Sequence, residues 1–434
     1  MLQLVFGRSG YGKTEYIRNR IADMIDRGET QVLLITPEQY SFISEYSLLE
    51  QLGEARAHAV RCLSFSRLCD ECDRLYGADG RKPLTKGGKA ILMKTAIDQV
   101  RPDLELFEKK GSSAAFVQSM TGIYDEMKSC NLSGAAVYAA ADDLDTDILR
   151  CKMRDFSRIM TAYEALLGDR FADPANRLTR LYDQIKDQNY FAGQTVFLDG
   201  FNGFVAQEYK ILERIIAEAK AVYIALDSDS FGMGDGYDLF AYVNETAGIL
   251  QRIADKAGVP TNALQLSENC RTDYADLRRV EQYIFADQAP ETEIPAEHIR
   301  LYAASTVTDA CNDLALQIKG LLRCGYRAGE IAVTMRDREK YAPVLASAFE
   351  KYGVPYYADE RQPVTAQPIL VFPMYLMRSV IYGWRSDDLF SLIKTGLTDV
   401  SDSPDLHRTE NYVYTWGING AAWKRPFDKS PKGF

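Results

Sequence analysis

Apolar residues along this chain fall first into short unbroken runs and then at every third or fourth position. Leu2-Gln3-Leu4-Val5-Phe6 has the length and make-up of a strand, and it breaks into a glycine-rich stretch, Gly7 to Thr14. The segment "KTEYIRNRIADMIDRG" then places Tyr16, Ile17, Ile21, Met24 and Ile25 on one helical face and stops at Gly28. "QVLLITP" follows as a second strand with no polar alternation, as in parallel strands covered on both faces. Strand, loop, helix and strand together predict the start of a doubly wound α/β sheet.

From about residue 84 to 190 the spacing is helical throughout, as in "KAILMKTAIDQV", "AAFVQSMTGIYDEMKSC" and "KMRDFSRIMTAYEALLG", and no strand is predicted to interrupt it. The sheet pattern resumes with "QTVFLDGF", a helix "QEYKILERIIAEA" and a strand "AVYIAL". A helical domain is therefore expected as an insertion between strands of one sheet. The acidic, proline-containing stretch 287–297 is expected to link to a second α/β unit. Its predicted strands are "HIRLYAAS", "EIAVTMR" and "VPYYAD", with helices "ACNDLALQIKGLLRCG" and "YAPVLASAFEKYG" between them. The aromatic tail from residue 411 onward is expected to pack against a part that is missing, so that the chain reads as cut short.

Composition narrows the class. With 46% hydrophobic and 26% charged residues the chain is of ordinary globular make-up, and it has no uncharged apolar run long enough to span a bilayer. The first residues lack the features of a signal peptide. The net charge of −10 argues against whole-surface attraction to nucleic acid and leaves a local basic groove open. Eight cysteines without a second close pair, and only three histidines, point to reduced thiols; Cys69 and Cys72 are expected to share one buried helical face.

The candidate chemistry lies in Gly7-Arg8-Ser9-Gly10-Tyr11-Gly12-Lys13-Thr14, which fits G-x-x-x-x-G-K-[ST] between a strand and a helix. Glycines let consecutive backbone N–H groups turn toward one anion at a helix N-terminus. Lys13 would reach the β- and γ-phosphates of a nucleotide, and Thr14 would place a hydroxyl on Mg²⁺. The alternative is an ordinary glycine-rich turn. A carboxylate at a neighbouring strand end is also needed, and Asp199 in "TVFLDGF" is the candidate, its distance in sequence explained by the inserted helices. The glutamate that many motor ATPases place directly after this aspartate is replaced by Gly200, while Glu208 reads as part of the next helix's first turn.

The order of these pieces resembles superfamily 1 DNA helicases of the UvrD/RecB kind. "LLITPEQYSF", "LSFSRL", "LDGFNGFVAQEY" and "GYRAGEIAVTMRD … YGVPYYAD" resemble the AddB (RexB) component of the AddAB (RexAB) ATP-dependent helicase/deoxyribonucleases, over essentially the whole chain and the N-terminal part of that longer polypeptide. The resemblance implies an α/β fold with a RecA-like P-loop NTPase domain (1A) split over 1–83 and 191–286. It also implies an all-helical insertion (1B) over 84–190, a second RecA-like domain (2A) over 296–380, and a truncated helical region over 381–434. In function it implies processing of DNA double-strand breaks for homologous recombination, with ATP and Mg²⁺ as cofactors, in the cytoplasm. The implied partners are an AddA/RexA-type helicase-nuclease subunit, single-stranded DNA carrying a hotspot sequence, and duplex DNA ends; no membrane is implied. The family's nuclease domain and iron–sulfur cluster are expected only beyond residue 434.

Carried over residue by residue, Thr36 and Tyr40 fall where helicase motif Ia touches DNA. Ser64, Phe65 and Arg67 match a second motif that touches single-stranded DNA, and by spacing alone Phe65 reads as a core residue. Gln207 falls near the helicase glutamine, and Arg271 in "LSENCRT" becomes a candidate γ-phosphate contact. There is no glutamine-containing segment before the first strand, and "SDSFGMGDGYDLF" stands where Gly-Asp-x-x-Gln-Ser is expected. Two alternatives remain: an independently active, DNA-stimulated ATPase, and a P-loop small-molecule kinase.

Overall fold

The computed structural model describes residues 1–434 except 79, 111–112, 230–238, 287–290, 292, 360–363, 402 and 431–434, and omits the side chains of 55 and 110. The chain divides into two compact units, Met1–Arg300 and Leu301–Phe434. Most of "SDSFGMGDGYDLF" and part of the 287–297 stretch lie outside the described residues.

The strands of the first unit are β1 (Leu2–Gly7), β2 (Val32–Ile35), β3 (Val60–Leu63), β4 (Lys82–Pro83), β5 (Phe171–Ala172), β6 (Thr195–Leu198), β7 (Ala221–Asp227) and β8 (Thr261–Gln265). Six of them form one parallel sheet in the order β3-β2-β6-β7-β1-β8. The protein is thus α/β, as expected. Two sheet strands escape the hydrophobic pattern, and both are edges. Arg61 interrupts β3 and β8 is the largely polar "TNALQ", because an edge strand is not covered on both faces.

Alternation along the central strands sends side chains into two cores. Leu2, Leu4, Phe6, Leu33, Val196, Leu198, Val222 and Ile224 enter one. Val32, Leu34, Phe197, Tyr223 and Ala225 enter the other, with Ile17 and Ile21 from the helix Lys13–Asp26. The helix Phe65–Tyr76 buries Leu68, Cys69 and Cys72 in the first core, where burial pushes both thiols up to about 12. These cysteines act as small apolar side chains.

Between β4 and β5 the helices Lys86–Val100, Ala114–Ser129, Gly134–Ala141 and Asp147–Leu167 enclose their own core around Met93, Ile97, Met120, Tyr124, Ile159 and Tyr163. The expectation of an uninterrupted helical stretch needs one correction. Phe171–Ala172 pairs in parallel with Lys82–Pro83, tying the chain's departure to its return. Two residues are too few to leave a period-two signature. Just inside this tie Lys89 is buried and pairs with the buried Asp173 at 2.8 Å, to which the Tyr163 hydroxyl also donates at 2.6 Å.

In the second unit the helices Val307–Arg323 and Arg338–Tyr352 pack through Cys311, Ala315, Ile318, Leu345 and Phe349. The three strands predicted here do not form. Residues 301–304, 331–335 and 354–359 belong to no ladder among the described residues. An apolar run specifies a strand only when another backbone lies alongside it, and here none does. The helices Pro368–Ile381, Ser386–Ile393 and Leu406–Trp416 complete the unit. The tail aromatics find partners within it: Trp423 packs edge-to-face on Phe390 and donates from Nε1 to the Ser386 hydroxyl at 3.0 Å.

Candidate phosphate-binding site

The chemistry-bearing residues of the first unit lie at the carboxyl ends of its parallel strands, where open α/β sheets place their ligands. β1 ends at Gly7, and the chain curls through Gly10 and Gly12 at φ +89° and +80°, left-handed values that favour glycine. Tyr11 N–H closes the turn on the Arg8 carbonyl at 3.1 Å. The helix beginning at Lys13 follows directly, so its N-terminal amides face the loop.

Lys13 Nζ donates to the carbonyls of Gly7 (2.7 Å) and Arg8 (2.9 Å) and pairs with Asp227 Oδ1 at 2.5 Å. All three ammonium donors are engaged by oxygen. Thr14 and Asp199 share a side-chain hydrogen bond. Burial raises the Asp199 carboxyl above its ordinary range, against the hydrogen bond with Thr14, the Gly200 N–H and the charge of Lys13. The inserted helices therefore leave Asp199 beside the loop, because β6 and β1 are separated only by β7.

The other loop residues are held at the mouth. Arg8 pairs with Asp229 at 2.8 Å, donates to the carbonyls of Glu281 (2.9 Å) and Gln282 (3.2 Å), and lies over the Phe240 ring. The Tyr11 hydroxyl donates to Glu281 at 3.2 Å, and Ser9 is exposed. After β8 the chain folds over the loop. Cys270 N–H donates to the Gly10 carbonyl at 2.9 Å, and Arg271 packs so tightly on Gly10 that a Cβ there would lie 2.9 Å from its own. Arg271 is thus brought to the loop.

Asp227 is the residue that the sequence pattern missed. It pairs in register with Gly7 across β1 and β7, which turns its carboxylate toward Lys13. The signal was the acidic end of "AVYIALD", the same apolar-run-then-aspartate pattern that marks Asp199.

The residues matched to DNA-contacting motifs separate by exposure. Thr36 is buried at the end of β2. Ser64 is buried and caps the helix Phe65–Tyr76 by accepting from Arg67 N–H at 3.2 Å, and Phe65 is buried edge-to-face on Phe201. Tyr40 and Phe42 are exposed, and Arg67 is half-exposed beside Glu45 at 3.1 Å. Gln207 is buried away from the loop, donating to the Ala175 carbonyl (3.0 Å) and the Thr179 hydroxyl (2.9 Å). A groove of about 590 Å³ runs between the strand ends and the inserted helices, with Thr36, Ser66, Lys86 and Arg177 in its wall. Glu208 caps its own helix by accepting from Val205 N–H at 2.9 Å. Among the described residues no group of three or more His, Cys, Asp or Glu is arranged to hold a metal, and no helix is long and apolar enough to cross a membrane.

The sheet order and the loop define the class: a doubly wound parallel α/β unit, interrupted by helices, with a glycine loop and carboxylates at its strand ends. Within that class the chain belongs to the AddB family, the family model described as "ADDB, N-terminal" matching residues 4–281. It is similar to the AddB-type component of the ATP-dependent helicase/deoxyribonuclease of Clostridium botulinum (strain Langeland), at 27% identity over 97% of this chain and 37% of that protein. The proteins of the same name from Clostridioides difficile (28%; 97% and 37% covered) and Thermoanaerobacter sp. (26%; 99% and 38%) are similar in the same way. The chain spans little more than a third of the length of these curated relatives.

Proposed function

We propose that this chain is the N-terminal, helicase-like part of an AddB-type subunit of an ATP-dependent helicase/deoxyribonuclease that processes DNA double-strand breaks for recombination. Unit Met1–Arg300 acts as the RecA-like domain with its helical insertion, and an AddA-type subunit supplies the main motor. The observation that carries the reading is the meeting of Lys13, Thr14 and Asp199 at one glycine loop. The residues fit a Mg²⁺-bound triphosphate. The positive-φ glycines and the helix N-terminus would cradle phosphate oxygens, Lys13 would neutralise them, and Thr14 with Asp199 would hold the metal. Bound there, Mg²⁺ would screen the phosphate charges.

Gly200 bears on turnover. Its φ of +83° makes it a poor host for a glutamate, so the chain does not place a water-activating carboxylate directly after Asp199. Nucleotide binding then serves chiefly to set the conformation of the protein. For single-stranded DNA the exposed Tyr40 and Phe42 offer stacking faces, and the groove beside Lys86 and Arg177 offers cations.

The test combines fluorescent-ATP titration in Mg²⁺ with phosphate release, with and without an oligonucleotide. Binding that is lost in Lys13→Ala, with little DNA-stimulated release, is the expected result. Strong DNA-stimulated release lost in Lys13→Ala would favour the independent ATPase, and absence of nucleotide binding would refute the reading. Oligonucleotide anisotropy with Tyr40→Ala and Phe42→Ala tests the DNA surface.

A further inference from the structure

Asp227 has no part in the reading above, yet it is the carboxylate in direct contact with the lysine on which phosphate binding depends. From the Lys13–Asp227 pair we infer that Asp227 is a positioning residue that competes with phosphate for the Lys13 ammonium and so sets nucleotide affinity. The inference rests on the proposed nucleotide site and deepens it.

Three observations carry it. Lys13 is nearly buried, and its three donors go to two loop carbonyls and Asp227, so a phosphate oxygen can gain a hydrogen bond from it only by displacing one of these acceptors. Asp227 is the acceptor that carries a full negative charge. Its position is also fixed by the fold: the register that pairs it with Gly7 holds it at the end of a central strand, where it cannot follow a moving loop. The loop's other cation, Arg8, is turned instead to Asp229 and to the Glu281 and Gln282 carbonyls. The carboxylate keeps the loop's charge neutralised and the lysine aimed along the strand ends. An incoming triphosphate must take over the ammonium and tolerate the displaced carboxylate beside it.

The prediction concerns the phosphate chain, not the base. Asp227→Asn keeps the shape and removes the charge, and it should tighten binding of both fluorescent ATP·Mg²⁺ and inorganic tripolyphosphate. Because Asp227 is partly exposed, screening limits the gain to about three- to tenfold for each. A Lys13→Ala/Asp227→Asn double variant completes the cycle, and in the Lys13→Ala background the gain should vanish. Asp227→Ala, measured alongside, guards against a folding defect peculiar to the asparagine.

If wild type binds nucleotide and both Asp227 variants bind equally or more weakly, the inference is overturned while the nucleotide site stands. A gain that persists undiminished without Lys13 also overturns it, because Asp227 would then act as general surface charge. If neither wild type nor variants bind ATP·Mg²⁺ or tripolyphosphate, the nucleotide reading fails and this inference with it.

Discussion

Gly200 offers a direct way to ask whether the absence of a glutamate after Asp199 is written into the backbone. An ideal Cβ at this position would meet Pro37 Cδ at 3.4 Å and Tyr40 Cδ2 at 3.9 Å, which are ordinary contacts. Steric overlap therefore adds little. The cost lies in the φ of +83°, where an L-residue loses about 1–2 kcal/mol relative to glycine. Gly200→Ala isolates that term and should lower unfolding free energy by about 1–2 kcal/mol. Gly200→Glu should lose more, since its carboxylate adds repulsion beside Asp199. Gly87 supplies the control. It lies in the helix Lys86–Val100 with open space around its Cα, so Gly87→Ala should gain about 0.5–1 kcal/mol. Urea unfolding at constant m-value reads all three, and phosphate release tests whether Gly200→Glu installs a base. The expected outcome is destabilisation without turnover. An alanine variant as stable as wild type, or a glutamate variant with Lys13-dependent hydrolysis, would refute the reasoning.

Asp199→Asn should trade function for stability. The folded-state carboxyl is raised by burial, so its contribution to stability is full below the unfolded value of about 3.9 and is lost as pH rises through the elevated folded value. The asparagine variant should then be the more stable protein at pH 7, with the gap closing toward pH 4 in urea melts, and should bind ATP·Mg²⁺ more weakly; a less stable variant at pH 7 would contradict this. Gly10→Ala combines a φ of +89° with a Cβ 2.9 Å from that of Arg271, so nucleotide titration should show binding lost together with about 1–2 kcal/mol of stability. In the inserted helices the buried Asp155 accepts from the N–H groups of Glu105 (2.9 Å), Leu106 (2.8 Å) and Phe107 (3.1 Å) and pairs with Arg158. Asp155→Ala orphans three amides and a guanidinium, and denaturation should register a loss of about 3–5 kcal/mol; a loss under about 1 kcal/mol would show that water replaces the carboxylate.

The sequence alone determined the central strands, the inserted helices and the glycine loop. Each is a local pattern: an apolar run, a 3.6-residue period, or a set of glycines with one cation. It also marked Asp199, because an aspartate closing an apolar run stands at a strand end wherever the sheet lies. Tertiary structure decided what those marks meet. Only the strand order sets Asp199 beside Thr14 and Asp227 beside Lys13, and only packing withdraws Ser64, Phe65 and Gln207 from the surface. The strands predicted after residue 300 make the same point from the other side. Their apolar runs are present, but no neighbouring backbone completes them among the described residues. A helix satisfies its hydrogen bonds within its own segment and is therefore legible locally, whereas a strand, an ion pair or a metal site is a relation between distant segments that exists only once the chain has folded.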